Sequence, residues 1–203
     1  MSAAATRIAS KDAAAVAKRF LSLVEGTTER IAVAGSLRRR LPMCGDVEIV
    51  AIPKISEVET VTTELLEDRV ETAEVDNLHE ALNVLLATGA VQKKLLGAKG
   101  VTRWGPKAKA LVFEGVPFDV YATDPEIWGW TLVLRTGPAE FTKQLVQRRG
   151  DKTVDRRPGL LPDGLYFEGG IRSRLSGLLI PTPEEEDVFR VLGIDYRDPW
   201  LRR

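Results

Sequence analysis

The chain is poor in the residues that staple small proteins or hold soft metals. It has one cysteine, Cys44, so no internal disulfide framework can form. One histidine, His79, beside that single cysteine excludes a Cys/His zinc cluster. An excess of either charge is missing too. The 29 Lys and Arg balance 29 Asp and Glu, which excludes a uniformly basic nucleic-acid coat but leaves room for a local basic groove. No apolar run approaches the roughly 18 residues that a membrane helix needs. Residues 1–12 hold no continuous apolar segment, so no secretory signal is expected. These absences predict a reducing, cytoplasmic setting and no membrane partner, and a monomer is the default expectation.

What is present suffices for a core: 203 residues, 44% hydrophobic, amount to one large domain or two small ones. Residues 10–24 predict a helix, with Ala14, Val16, Ala17, Phe20, Leu21 and Val24 at helical spacing and Gly26 beyond its end. The short apolar runs 31–34 and 46–52, bounded by Gly and Pro, predict strands. Segments 56–69 and 77–88 predict helices through Leu65, Leu66, Leu78, Leu82, Leu85 and Leu86. From residue 91 the pattern turns to strands (91–96, 109–114, 116–122), the last two forming a hairpin with Glu114-Gly115 at its tip. Helical segments are expected at 127–134 and 138–149, then a Gly- and Pro-rich stretch at 157–170. A final helix starts near Pro183 with carboxylates in its first turn. The texture changes near residue 124, giving an α+β reading: a mixed or antiparallel sheet flanked by helices over 1–124, and a small α+β domain over 125–203.

The chemistry concentrates in Gly35-Ser36 and Gly45-Asp46-Val47-Glu48. Residues two apart on a strand share a face, so Asp46 and Glu48 stand together, about 6–7 Å apart along the backbone. Two carboxylates on one face repel unless a cation lies between them, and a hard divalent ion takes oxygen ligands. Asp119, in the later strand, is a third acid. If the two strands are neighbours, the three carboxylates form a ligand set for two magnesium ions roughly 3.5–4 Å apart. Gly35 lets the backbone approach a ligand, Ser36 offers an N–H and a hydroxyl to a phosphate, and Arg39 supplies a bidentate clamp. The bland alternative is a solvated strand face with Arg38 to Arg40 as surface charge. Gly-Ser before the acid pair and an acid in a later strand favour a site.

The pattern Gly35-Ser36-x-x-Arg39, Gly45-Asp46-x-Glu48 and Asp119 resembles the polymerase beta (family X) nucleotidyltransferases. Thr136-Gly137 with Phe141 resembles that family's Thr-Gly turn and following helix. Glu185-x-Asp187-Val188-Phe189 and Tyr196-Arg197-x-Pro199 resemble the end of its thumb. The resemblance covers roughly residues 30–203 and implies a palm over 1–124 and a thumb over 125–203, close to a minimal palm-plus-thumb layout without the lyase domain or fingers. It implies a DNA-directed polymerase that adds deoxynucleotides to a primer 3′-hydroxyl on gapped or primed DNA.

In that role Asp46, Glu48 and Asp119 hold two Mg²⁺ ions, with Mn²⁺ as the alternative, and Asp119 assists deprotonation of the 3′-hydroxyl. Gly35, Ser36, Arg39 and the Gly45 backbone face the nucleoside triphosphate, as do Arg135 and Gly137. Departures are Glu48 where the family's DNA polymerases usually have Asp, Leu134-Arg135 in place of an aromatic pair, and Thr142 in place of an asparagine. A nucleotidyltransferase acting without template on RNA ends or a small molecule is the alternative, and a catalytically weak DNA-binding module the third reading.

Over 135–174 nine Lys and Arg exceed five acids, an excess of four. Lys143, Arg148 and Arg149 in this stretch are the candidates for DNA phosphate contacts. Trp128 and Trp130 are expected to pack at the domain junction. His79 is expected at the surface or half-buried without an evident partner, and Cys44 as a turn residue.

Overall fold

The computed structural model describes residues 7–64, 67–97, 99–151 and 158–202, with the backbone alone at 60–64 and 67–70. The first half runs β1 (Ile8–Ala9), α1 (Ser10–Val24), β2 (Thr28–Val33), α2 (Gly35–Arg38), β3 (Met43–Cys44), β4 (Val47–Pro53), β5 (Ile55–Glu64), β6 (Glu67–Asp76) and α3 (Asn77–Ala87). Then come β7 (Gln92–Lys93), β8 (Leu95–Leu96), β9 (Val101–Thr102), β10 (Ala108–Phe113) and β11 (Val116–Ala122). The second half runs α4 (Trp128–Thr136), α5 (Ala139–Val146), β12 (Leu165–Phe167), β13 (Ile171–Ser173) and α6 (Glu185–Leu192). Among the described residues no helix is long and apolar enough to cross a membrane.

The main sheet has the order β2-β4-β11-β10-β7. Only the β4–β11 pair is parallel, and its register sets Phe118 beside Val47 and Asp119 beside Glu48. The fold is thus the α+β class the sequence predicts, with a mixed sheet. Alternation gives each central strand two different faces. Val47, Ile49 and Ala51 with Phe118 and Val120 face one way, onto Ala13, Val16, Ala17 and Phe20 of α1 and Leu78 and Leu82 of α3. The helical spacing of the α1 set is the pattern that buries it. On the opposite face Val50 and Ile52 meet Trp128 and Leu132 of α4. Glu48 and Asp119 belong to this second face, where Glu48 lies against Gly35 of α2.

A separate core joins Trp130, Val133, Phe141, Leu145, Val188, Phe189 and Leu192, so α4, α5 and α6 pack on one another. Trp128 and Trp130 thus anchor two cores from one helix, the packing role expected of them. Gly129 lies between them, where a Cβ would sit 2.0 Å from the Glu184 carbonyl oxygen. That obstacle is backbone and cannot rotate aside. Gly129→Ala is therefore expected to cost about 1–3 kcal/mol or more by overpacking, read as a lowered denaturant midpoint with an unchanged m-value.

Three expectations need correction. Segment 56–69 is not a helix: β5 and β6 pair antiparallel along their whole length, from Ile55 with Asp76 to Glu64 with Glu67. Ile55, Val58, Thr60, Val61, Thr62 and Thr63 crowd this segment with β-branched residues, which favour the pleated strand over the helix. Leu65 and Leu66, on which the helical stripe depended, lie outside the described residues. Helix 138–149 stops at Val146, because Gln147 is extended and Arg148 and Arg149 run beside Leu161. The last helix begins at Glu185 rather than at Pro183. Its entry is fixed by Asp187, whose carboxylate accepts the Glu184 N–H at 2.9 Å.

Candidate active site

The site is assembled at the mouth of the parallel β4–β11 pair. Asp46 precedes β4 in a bend, Glu48 is the strand's second residue, and Asp119 stands in register with Glu48 on β11. The Glu48 carboxyl is pushed up to about 7, by burial first and then by the negative charges of Asp46 and Asp119. Glu48 thus feels both aspartates, as the strand argument requires. Arg135 and Arg39 act in the opposite sense on the same carboxyl.

Protein cations already approach these acids. Lys94 Nζ lies 3.2 Å from Asp46 Oδ2 and 3.5 Å from Asp119 Oδ1. Arg103 Nη2 lies 2.7 Å from Asp119 Oδ1, yet both atoms are buried and neither finds a directed hydrogen bond among the described residues. The Arg103 and Arg135 guanidiniums also lie over the Tyr121 ring, at 5.4 and 3.7 Å from its centroid. Tyr121 is two residues beyond Asp119 and so shares its face.

Among the described residues no three Asp, Glu, His or Cys side chains are gathered tightly enough to hold an ion as they stand. The donor set nevertheless fits one. Three carboxylates supply hard oxygen, and Asp119 Oδ1 is a buried acceptor left without a hydrogen bond.

The backbone around Ser36 explains its glycine. Gly35 adopts φ 65°, and a Cβ there would fall 2.1 Å from Glu48 Oε2. Ala34 N–H donates to the Glu48 carbonyl at 2.7 Å, so the α2 turn is fastened to β4 beside the acid. Gly35→Ala is expected to cost about 1–3 kcal/mol from the left-handed backbone alone and to push Glu48 from its place. Chemical denaturation measures the first, and the Glu48 carboxyl titration followed by NMR measures the second.

Other expected site residues lie as follows. Ser36 is in α2 and half-buried, and Gly45 is exposed immediately before Asp46. Arg39 donates to the Thr136 carbonyl, and its guanidinium packs on Gly137, where a Cβ would meet Nη1 at 2.9 Å. Burial lowers the Arg39 guanidinium from its usual value. Arg38, which the surface reading left in solvent, donates to Thr136 Oγ1 and to both Glu185 oxygens at 2.7 and 2.6 Å.

A cleft of about 500 Å³ lies beside Tyr121, Thr131, Leu134 and Arg135, and the three acids do not line it. Thr142 turns its hydroxyl back to the Leu134 carbonyl. Lys143 is exposed on α5. Arg148 faces Asp163 at 3.3 Å, and Arg149 donates to the Leu192 carbonyl at 2.7 Å, so these two are engaged within the chain. Lys152, Arg156 and Arg157 of the basic stretch lie outside the described residues. His79 has a partner after all: its Nδ1 is 2.8 Å from Lys109 Nζ. Cys44 is buried, with its thiol toward the Ile8 carbonyl.

Sequence reasoning missed Lys94, Arg103 and Tyr121. The two-residue alternation from Asp119 could have found Tyr121. The cations come from a different segment and carry no local signal.

A family model described as DNA polymerase beta thumb matches residues 131–203. A rat protein, DNA polymerase lambda, is 26% identical over 167 residues, 81% of this chain. The chain spans about a quarter, 27%, of that relative's length. The matched thumb residues hold α5, α6 and most of α4, the elements that share the second core.

Proposed function

We propose that this family X polymerase-like chain is a nucleotidyltransferase that extends a primer 3′-hydroxyl on DNA with deoxynucleoside triphosphates. The observation that carries the reading is the register of β4 and β11, which sets Glu48 beside Asp119 with Asp46 at the strand mouth. The family X relationship supports the DNA and nucleotide partners.

In this reading Asp46, Glu48 and Asp119 hold divalent ions, with Mg²⁺ as the expected species and Mn²⁺ as the alternative. When bound, the ions neutralise developing phosphate charge and lower the cost of deprotonating the attacking hydroxyl. The chain's own part is positioning. Gly35 gives the Glu48 carboxylate room to face its neighbours. Burial and the two aspartates push the Glu48 carboxyl up, and counter-charge beside it favours the carboxylate. Ser36, Arg39 and the Gly45 backbone face the triphosphate. Arg39 is steadied for this by Thr136 and Gly137, so the turn after α4 and the turn after β2 form one wall. Arg135, stacked on Tyr121, places a second cation beside Glu48. Lys143, Arg148 and Arg149 meet the DNA backbone, the two arginines by exchanging their present partners for phosphates. The division of labour is a palm over 1–124 and a thumb over 125–203, acting as a monomer in the cytoplasm.

The test is incubation of the chain with a labelled one-nucleotide-gapped duplex, Mg²⁺ and each dNTP or NTP in turn, beside Asp119→Ala. Templated dNTP addition that the variant lacks is the expected result. Addition indifferent to template, or of ribonucleotides only, would transfer the reading to an RNA-end or small-molecule nucleotidyltransferase. Binding without addition would reduce it to a DNA-binding module.

A further inference from the structure

The three acids of the proposed site are served by a lysine that no part of the mechanism above uses. Lys94 lies between β7 and β8, and its N–H donates to the Ala110 carbonyl at 2.9 Å, which fixes its backbone beside β10. Its ammonium stands between Asp46, in the bend before β4, and Asp119 of β11, and it is mostly buried. Both contacts are long for charge-assisted bonds, which close to about 2.7–2.9 Å. One ammonium is thus shared between two carboxylates and satisfies neither fully. Asp119 Oδ1 still lacks a directed hydrogen bond, although Lys94 and Arg103 both stand near it. Arg103 faces Asp119 and Arg39 and Arg135 act on Glu48, so the ammonium is the cation that stands directly between Asp46 and Asp119. A divalent ion carries twice its charge and takes the oxygens directly.

We propose that Lys94 is a tethered counter-cation: it holds Asp46 and Asp119 together in the metal-free protein, and an incoming divalent ion displaces it. The inference rests on the reading of Asp46, Glu48 and Asp119 as metal ligands. Lys94 is a positioning residue, acting through the two aspartates. It lowers the site's affinity for metal because every bound ion must compete with a charge built into the chain. In return the empty site is kept from flying apart.

The experiment is a Mn²⁺ titration of the full chain followed by EPR, in the absence of nucleotide and DNA, on the wild type, Lys94→Met, Lys94→Arg and Asp46→Asn. Lys94→Met is expected to bind Mn²⁺ roughly tenfold more tightly, since one competing cation is gone. Lys94→Arg keeps a cation there and is expected to stay near wild type. Thermal unfolding supplies a second readout. Without metal Lys94→Met melts lower than wild type, and saturating Mn²⁺ raises its Tm by more than it raises the wild type's. If Lys94→Met does not fold, Lys94→Gln takes its place in both measurements. Mn²⁺ binding that weakens in Asp46→Asn yet is equal or weaker in Lys94→Met overturns the counter-cation and leaves the site standing. Mn²⁺ binding that Asp46→Asn does not weaken overturns the metal site and this inference with it.

Discussion

Asp119→Ala is expected to abolish nucleotide addition, a fall of at least about 10³-fold, while the chain stays folded. Asp119 combines two positions. It is paired in register with Glu48, and it faces Lys94 and Arg103 from the neighbouring segment. Under the proposed mechanism its loss removes a ligand shared by the ions and the group beside the attacking hydroxyl. In-line transfer then loses positioning and charge neutralisation together. Stability responds in two opposed ways. Removing one of three mutually repelling carboxylates relieves Glu48, which burial, Asp46 and Asp119 raise in that order. It also strips Arg103 of its only ion-pair partner among the described residues. These effects are of similar size at a half-buried site, so the net change in the denaturant midpoint is expected to be small, within about 1 kcal/mol. A rate measurement beside an unfolding curve checks both halves. Lost addition with an intact midpoint separates a chemical role from a folding role, whereas residual addition near the wild-type rate would remove Asp119 from the mechanism.

That Asp119 could be placed beside the acids of the earlier strand follows from the period of two. Val116, Phe118 and Val120 alternate with Pro117, Asp119 and Tyr121, and so do Val47, Ile49 and Ala51 with Glu48 and Val50. An acid at an alternate position marks the face turned away from α1 and α3, the face that Val50 and Ile52 bury against α4. The hairpin at Glu114-Gly115 was equally local, since Gly115 at φ 76° and Glu114 at φ 48° supply the left-handed tip. Most of the α1 stripe is legible from its helical spacing, although Ala13 rather than Ala14 is the buried alanine.

Segment 56–69 imitates a helix through its Leu65-Leu66 pair, while its density of β-branched residues carries the opposite message, which the β5–β6 pairing obeys. Lys94 and Arg103 lie outside the reach of such patterns: Lys94 meets Asp46 across 48 residues, and periodicity describes neighbours only. Arg38 and Arg149 show the same limit. A run of arginines gives charge, but whether each one faces solvent or a carbonyl is decided by the tertiary fold, which turned Arg38 toward Glu185 and Arg149 toward Leu192.

Glu185 carries the largest expected effect on stability. It opens α6 and is buried, with its two oxygens taken by Arg38 and one of them also by Arg202 at 2.8 Å. The Arg202 side chain has no exposure, and it is further held by the Arg197 carbonyl at 2.9 Å. Glu185→Ala leaves two guanidiniums facing an apolar junction without an anion. Breaking a buried ion pair from one side costs about 3–5 kcal/mol, a fall in Tm of about 10 °C for a chain of this size.

The pH dependence has a definite sign. Burial raises the Glu185 carboxyl, but the hydrogen bonds and charges of Arg38 and Arg202 outweigh it, and the net shift is downward. The stabilisation is therefore fully present above the unfolded glutamate value of about 4.3 and is lost as pH falls below it, through the depressed folded value. Glu185→Gln keeps the shape but not the charge. Its unfolding free energy should lie below the wild type's at neutral pH, and the two should converge as the solution is acidified below about pH 4. Parallel curves through that range would mean that Arg38 and Arg202 do not draw their stability from this carboxylate. Arg38 and Arg39 both donate to Thr136, one to its hydroxyl and one to its carbonyl, so Thr136 joins the α6 entrance to the wall of the proposed nucleotide site.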